Sequence, residues 1–244
     1  MRDLNWAGSR NLRDLGGLLT QLSPTGTTLT GRIARGTRRE TLAAAGWVSA
    51  TAWGLNSIVD LRNKDEVGPR PGDPAVAPPT TITVTRAPTE DQAHPEFRAT
   101  CFPILDSPEY WQHNIRILPH LVRGALEAIA GARPGILVHC SAGRDRTGMI
   151  CALLLANSGV AAADIVDDWA ASVRAMAGTA GHGGGTNDRQ AFWTETETED
   201  WIQATGSHVS TFATDPSRAL DRIGVSNGVR ARLRELLTEP VLSR

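Results

Sequence analysis

One stretch restricts this chain more than any other. Gly135-Ile-Leu-Val-His139 runs directly into Cys140-Ser-Ala-Gly-Arg-Asp-Arg-Thr147, and from there into an apolar segment that lasts to Asn157. A short aliphatic run behind a glycine reads as a buried strand, and residues 147–157 read as an apolar helix. Strand, loop and helix in immediate succession form the repeating unit of α/β sandwiches. Ligands of such sheets bind outside the carboxyl ends of the strands. The loop from Cys140 to Arg146 is therefore the place to look for chemistry.

The remaining residues support the same architecture. Short β-type stretches are expected at 27–30 and 32–34, a buried strand at 57–61 and an alternating strand at 81–85. An alanine-rich helix is expected over 42–53 and a long one over 110–130, with Pro119 as a possible kink. Residues 68–79 hold Pro69, Pro71, Pro74, Pro78 and Pro79, which makes them a loop. Further helices are expected at 164–176, 188–204, 216–223 and 227–238, with a glycine-rich loop at 178–185. The expected fold is α/β: a mostly parallel central sheet flanked by helices as a three-layer sandwich. Residues 1–244 are read as one domain, with 178–244 as its helical C-terminal part.

Composition narrows the partners. The net charge of −1 offers no global field to attract nucleic acid or an anionic membrane, so any anion must be gathered locally. Three cysteines, Cys101, Cys140 and Cys151, argue against a disulfide scaffold and fit a reducing compartment. The polar start Met1-Arg-Asp-Leu-Asn-Trp does not read as a secretory signal, and no apolar run approaches the roughly 18 residues of a membrane span. A cytoplasmic location is expected, with signal-less export as the alternative.

The loop residues suit one kind of chemistry. Five residues between Cys140 and Arg146 allow successive amides to turn inward as a nest for an anion. The following helix adds its N-terminal N–H groups and the positive end of its dipole. Gly143 permits the turn, and Ser141, Ala142, Gly143 and Arg144 supply the wall. Arg146 can grip two phosphate oxygens at once. Such surroundings favour the thiolate, which is the nucleophilic form of cysteine, so Cys140 is expected to attack phosphorus and form a phosphocysteine. Thr147 could donate its hydroxyl to the departing sulfur, and His139 could orient the loop through its ring. The leaving oxygen needs a proton donor. Asp145 is the first choice, with Asp106 and Asp91 as rivals. Cys151 reads as helix packing, and Cys101 as packing or a redox partner.

His139 to Gly148 resembles the His-Cys, five residues, Arg, Ser/Thr motif of the protein tyrosine phosphatase superfamily. More narrowly, Gly-Arg-Asp-Arg-Thr-Gly resembles the atypical bacterial tyrosine and dual-specificity phosphatases that carry Asp inside the phosphate loop; Arg144 stands where that group usually has Lys. Asn11-Leu-Arg-Asp-Leu-Gly-Gly17, Ile58-Val-Asp-Leu-Arg62 with Glu66, and Asp164-Ile-Val-Asp-Asp-Trp-Ala-Ala-Ser172 resemble further segments of the group. The resemblance implies Cys140 as nucleophile, Arg146 as phosphate ligand and Asp145 as acid and base. No cofactor or metal is implied. The implied substrates are phosphotyrosine, and also phosphoserine, phosphothreonine or phosphoinositides.

Secondary features carry milder expectations. Asp60 and Arg62 end a strand on the site's face. Arg62 is read as a ligand for a second anionic group or as part of an ion pair, and Asp60 as an ion-pair partner of the N-terminal segment. Arg13 and Asp14 are read as structural. Phe192, Trp193 and Trp201 are read as core, with a lid over the substrate as the sharper alternative. His182-Gly-Gly-Gly185 resembles an esterase oxyanion motif, but no Gly-x-Ser-x-Gly elbow accompanies it. Zinc lacks a clustered ligand spacing, and no Walker or dinucleotide fingerprint occurs. The competing functions are sulfur transfer, as in rhodanese-like domains, and a non-catalytic phosphate-binding module.

Overall fold

The computed structural model describes residues 2–179 and 189–239. Strands β1 (Arg13–Asp14), β2 (Ile33–Gly36), β3 (Ser57–Asp60), β4 (Thr83–Arg86) and β5 (Ile136–His139) form one sheet in the order β1-β2-β5-β3-β4. All neighbours are parallel except β1, which runs antiparallel to β2. The register pairs His139 with both Gly36 and Asp60, and Asp60 with Arg86, so four strands end level with one another. The loop after Cys140 thus leaves the middle of a flat C-terminal edge.

Helices α1 (Ala44–Trp53), α2 (Pro95–Cys101), α3 (Tyr110–Ile117), α4 (Pro119–Gly131), α5 (Asp145–Asn157), α6 (Ala162–Met176), α7 (Glu195–Thr214), α8 (Pro216–Ile223) and α9 (Asn227–Thr238) cover the sheet. The pleat divides the core in two. Leu137, Ile58 and Ala34 pack with Trp47 and Ala50 of α1 on one face. Ile136, Val138, Val59 and Ile33 pack on the other with α4, α5 and residues of α7 to α9, among them Val209, Leu220 and Leu236. Burial on both faces explains why β3 and β5 read as unbroken apolar runs rather than alternating ones. The result is the expected α/β three-layer arrangement, with the C-terminal helices sharing the larger core.

Several boundaries differ from expectation. The long helix over 110–130 is two helices, α3 and α4, broken at Leu118 (φ −124°, ψ 47°). Pro119 lacks an N–H and disfavours helical geometry in the residue before it. α5 starts at Asp145, two residues early, which puts Asp145 and Arg146 in its first turn. α2 was not expected; Pro95 opens it and His94 Nδ1 accepts from Phe97 N at 3.3 Å. The helix expected at 188–204 is α7, which begins after a capping box in which the Thr194 hydroxyl accepts from Glu197 N and the Glu197 carboxylate accepts from Thr194 N. Residues 27–30 form no named strand; Thr27 makes one isolated bridge with Leu19. Residues 180–185 of the expected glycine-rich loop, His182 included, and the expected helix start at 188 lie outside the described residues. No helix among the described residues is long and apolar enough to cross a membrane.

Candidate active site

The loop from Cys140 to Arg146 is built from its carbonyls inward. The Cys140 carbonyl faces His139 Nδ1 at 2.9 Å, and the Ser141 carbonyl accepts from Arg38 N at 3.1 Å. Asn11 Nδ2 donates to the Ala142 carbonyl at 3.1 Å, and an Arg35 guanidinium N–H donates to the Gly143 carbonyl at 2.8 Å. A peptide is planar with its C=O and N–H opposed. Four carbonyls drawn outward therefore turn the N–H groups of Ser141, Ala142, Gly143 and Arg144 inward, toward the position an anion would take. Gly143 has φ +69°, and a Cβ there would lie 2.2 Å from the Gly36 carbonyl, so the loop can approach β2 this closely only with glycine. Cys140 has no exposed surface and sits where this ring begins.

Arg146 closes the ring from the first turn of α5. Its two terminal nitrogens donate to the two carboxylate oxygens of Glu66 at 2.5 and 2.7 Å. Its Nε lies 3.7 Å from buried Glu90. Two of a guanidinium's five N–H groups go to Glu66, which fixes the plane of the fork while three remain. Glu66 Oε2 also accepts from Asn63 N at 2.9 Å, so the turn 64–66 that presents it is itself held.

Beneath the loop lies a group of buried charges that sequence reading did not connect. Asp168, on α6, accepts from Arg2, Arg13 and Arg35. Burial raises its pKa, but Arg35 and Arg13 outweigh burial and hold the carboxyl well below the usual range. Arg13 also donates to Asn11 Oδ1 at 2.7 Å and Ser172 Oγ at 2.7 Å. Asn11 takes φ +51°, a left-handed conformation that asparagine tolerates better than most residues. Arg13 is structural, as read, and through Asn11 and Arg35 this group holds two of the four loop carbonyls.

His139, Asp60 and Arg62 support the loop from the strand ends. Burial lowers the pKa of His139, so the ring is neutral. A carbonyl can only accept, hence Nδ1 carries the proton toward Cys140; Nε2 lies 3.8 Å from Asp60. Burial works against ionised Asp60, yet hydrogen bonds from Arg62 and the neighbouring charges bring its pKa down to about 2. Its partners are Arg62 and Arg39 rather than the N-terminal segment. The reading of Arg62 as a ligand for a second anion needs correction. Arg62 is 0% exposed, and its guanidinium donates to Asp60, Glu40 and the Glu66 carbonyl, the last at 3.2 Å. A side chain so engaged is scaffold for Glu66.

The candidate proton donor Asp145 is buried at the loop's end, and Arg144 Nε donates to its Oδ1 at 2.9 Å. Of the rivals, Asp91 is exposed, whereas the Asp106 carbonyl accepts from Gln190 Nε2 at 3.3 Å. Thr147 Oγ1 is buried without a hydrogen-bond partner among the described residues, so the bond to the Cys140 sulfur expected from sequence is not made here. Ser141 Oγ accepts from Arg70 at 2.9 Å, and Arg38 grips Asp73; the proline-rich loop is thereby docked on the wall. Burial pushes the thiols of Cys101 and Cys151 up to about 11, which suits packing rather than reaction. Trp193 and Trp201 pack against the core with ring centroids 5.2 Å apart, but Phe192, read as core, is 80% exposed.

A family model described as a tyrosine phosphatase family matches residues 4–239. The chain belongs to the tyrosine phosphatase family. It is accordingly a phosphatase hydrolase acting on phosphorylated substrates. No curated protein sequence matches it. The match takes in both the loop and the helices after α6, beyond Ser172, where the last of the quoted family-like segments ends.

Sequence reading of this phosphatase missed Arg35, Glu90 and Gln190 altogether, and quoted Glu66 and Asp168 without a role. Glu66 allows a direct test. Glu66→Gln removes the charge and turns one amide edge against the N–H groups of Arg146. The loss of a charged hydrogen bond, about 1.5–3 kcal/mol, should lower kcat/KM for para-nitrophenyl phosphate by roughly 10–100-fold. A change of under about twofold, within the scatter of a surface substitution, would show that Arg146 keeps its place without Glu66.

Proposed function

We propose that this chain is a cysteine-dependent, metal-independent phosphomonoester hydrolase that dephosphorylates phosphotyrosine, with phosphoserine, phosphothreonine and phosphoinositides open to the same chemistry. One observation carries the reading: Cys140 begins a ring whose four carbonyls are drawn outward and whose far end is Arg146, held in plane by Glu66. Ser141, Ala142, Gly143 and Arg144 offer N–H groups to the phosphate oxygens, and Arg146 adds its charge.

In the first step the Cys140 thiolate forms a bond to phosphorus. The bond from phosphorus to the ester oxygen breaks, and the leaving oxygen takes a proton from Asp145. In the second step water gives a proton back to Asp145 and bonds to phosphorus. The sulfur–phosphorus bond breaks, the thiolate returns and inorganic phosphate leaves. Thr147, whose hydroxyl is buried and unbonded among the described residues, is assigned the role of turning toward the sulfur as it departs. The fully buried sulfur favours a phosphate carried on a long arm, which phosphotyrosine has and phosphoserine lacks. Three unpaired thiols suit a reducing compartment, and we assign the protein to the cytoplasm.

The test is to trap the intermediate. Acid quenching during steady-state turnover of para-nitrophenyl phosphate, followed by peptide mass spectrometry, should find one phosphoryl group on the peptide carrying Cys140. Phosphate on another side chain would assign the nucleophile elsewhere. Thiosulfate-dependent sulfur transfer to cyanide, with no phosphate released from any ester, would replace hydrolysis with sulfur transfer.

A further inference from the structure

We propose that Gln190 is a positioning residue for the proton donor of the reaction, acting through Arg144; this rests on the reading of Asp145 as the acid. Three contacts form a line. Gln190 Nε2 donates to the Asp106 carbonyl at 3.3 Å, Arg144 donates to Gln190 Oε1 at 2.5 Å, and Arg144 Nε donates to Asp145 Oδ1 at 2.9 Å. The orientation of the amide follows from its neighbours. A guanidinium can only donate and a carbonyl can only accept, so the oxygen of Gln190 must face Arg144 and its nitrogen must face Asp106.

The line matters because of where its members come from. Arg144 and Asp145 are adjacent in sequence, at the start of α5, whereas Gln190 lies in the short turn Arg189–Phe192 before α7. An arginine side chain has many rotamers, and nothing about adjacency makes its Nε meet the next carboxylate. Gln190 has no exposed surface and Arg144 has 1%, so water is a poor substitute partner at this joint. With its far end held by Gln190, Arg144 presents Nε to Oδ1. Holding one oxygen fixes the plane of the carboxyl group, and with it the direction in which the other can deliver a proton. Gln190 does not touch the reacting atoms in this account.

A strut that only stabilises the fold would affect all substrates alike. A residue that aims a proton donor would affect only those whose leaving group needs the proton. Turnover is therefore compared for para-nitrophenyl phosphate, whose phenolate leaves unaided, and phenyl phosphate, whose phenolate does not. Gln190→Met and Gln190→Asn both break the bond to Arg144, the second by shortening the side chain while keeping it polar. Both should lower kcat on phenyl phosphate by about tenfold, a fraction of the 10²–10⁴ that general acid catalysis contributes. On para-nitrophenyl phosphate the loss should stay under about twofold, with KM changed little on either ester. Gln190→Glu keeps an acceptor for Arg144 but loses the donor to the Asp106 carbonyl, so it should recover part of the phenyl phosphate turnover lost in Gln190→Met.

Asp145→Asn in the same series separates the two ideas. If it is selective for phenyl phosphate while Gln190→Met and Gln190→Asn fall equally on both esters or on neither, the role of Gln190 is overturned and Asp145 remains the acid. If Asp145→Asn is itself unselective, the acid lies elsewhere and the role of Gln190 falls with it.

Discussion

Cys140→Ser is expected to lower turnover of para-nitrophenyl phosphate by about 10⁴-fold or more, on the scale of nucleophile removal in other covalent enzymes. Oxygen replaces sulfur with nearly the same shape, so the buried position gains no cavity and the ring of carbonyl bonds is untouched. What changes is the nucleophile: a serine hydroxyl is far harder to ionise than a thiol. The assay contains EDTA and a thiol reductant, so that neither a stray metal nor oxidation of the thiol confuses the result. Wild-type turnover with a silent mutant supports the sulfur mechanism. Activity surviving in Cys140→Ser would exclude it, and loss of wild-type activity in EDTA would point to a metal requirement.

The second large effect concerns stability. Asp168→Asn leaves Arg13 and Arg35 buried beside each other without the carboxylate that pairs with both. Breaking a buried pair from one side costs about 3–5 kcal/mol. For a chain of this size that corresponds to a fall of roughly 6–20 °C in Tm. A melting curve shifted by less than about 2 °C would mean that other groups already neutralise these arginines. The pH dependence has a definite sign. Asp60 and Asp168 both have folded-state pKa values below those of an unfolded chain. Their contribution is therefore present above the ordinary aspartate value of 3.8 and is lost as the pH falls, for Asp60 toward about 2. The Asp60 share is about 2 kcal/mol. Asp168→Asn should accordingly flatten part of the acid limb of a stability–pH curve.

The loop was legible because its chemistry is local. Strand, Cys140, Gly143, Arg146 and helix follow one another within about a dozen residues, and each requirement falls on a residue type that meets it. The supports were not legible in the same way. Arg35, Asp168 and Gln190 act across long stretches of sequence, where no period or spacing marks a pair. Arg62 stayed between two readings because a strand-end arginine looks the same whether it faces a ligand or a buried carboxylate; only the fold brings Glu40 to it. Phe192 was misread because helical spacing was assumed for a segment that is a short turn. Two errors were avoidable. Thr194 and Glu197 form a capping box that could have placed the start of α7, and Pro119 was noted as a kink when it breaks the helix outright.

The outward carbonyls have a further consequence. Their donors, at Arg38, Asn11, Arg35 and His139, all belong to the protein, so the shape of the ring is settled when the chain folds and not when a substrate arrives. The ring is complementary to a tetrahedral oxyanion as such, whatever that oxyanion is attached to. Inorganic phosphate, the species set free at the end of each cycle, therefore meets the same waiting contacts as the ester it came from. On the proposed mechanism, inorganic phosphate should compete with the ester for the loop, which an inhibition assay with added phosphate would read.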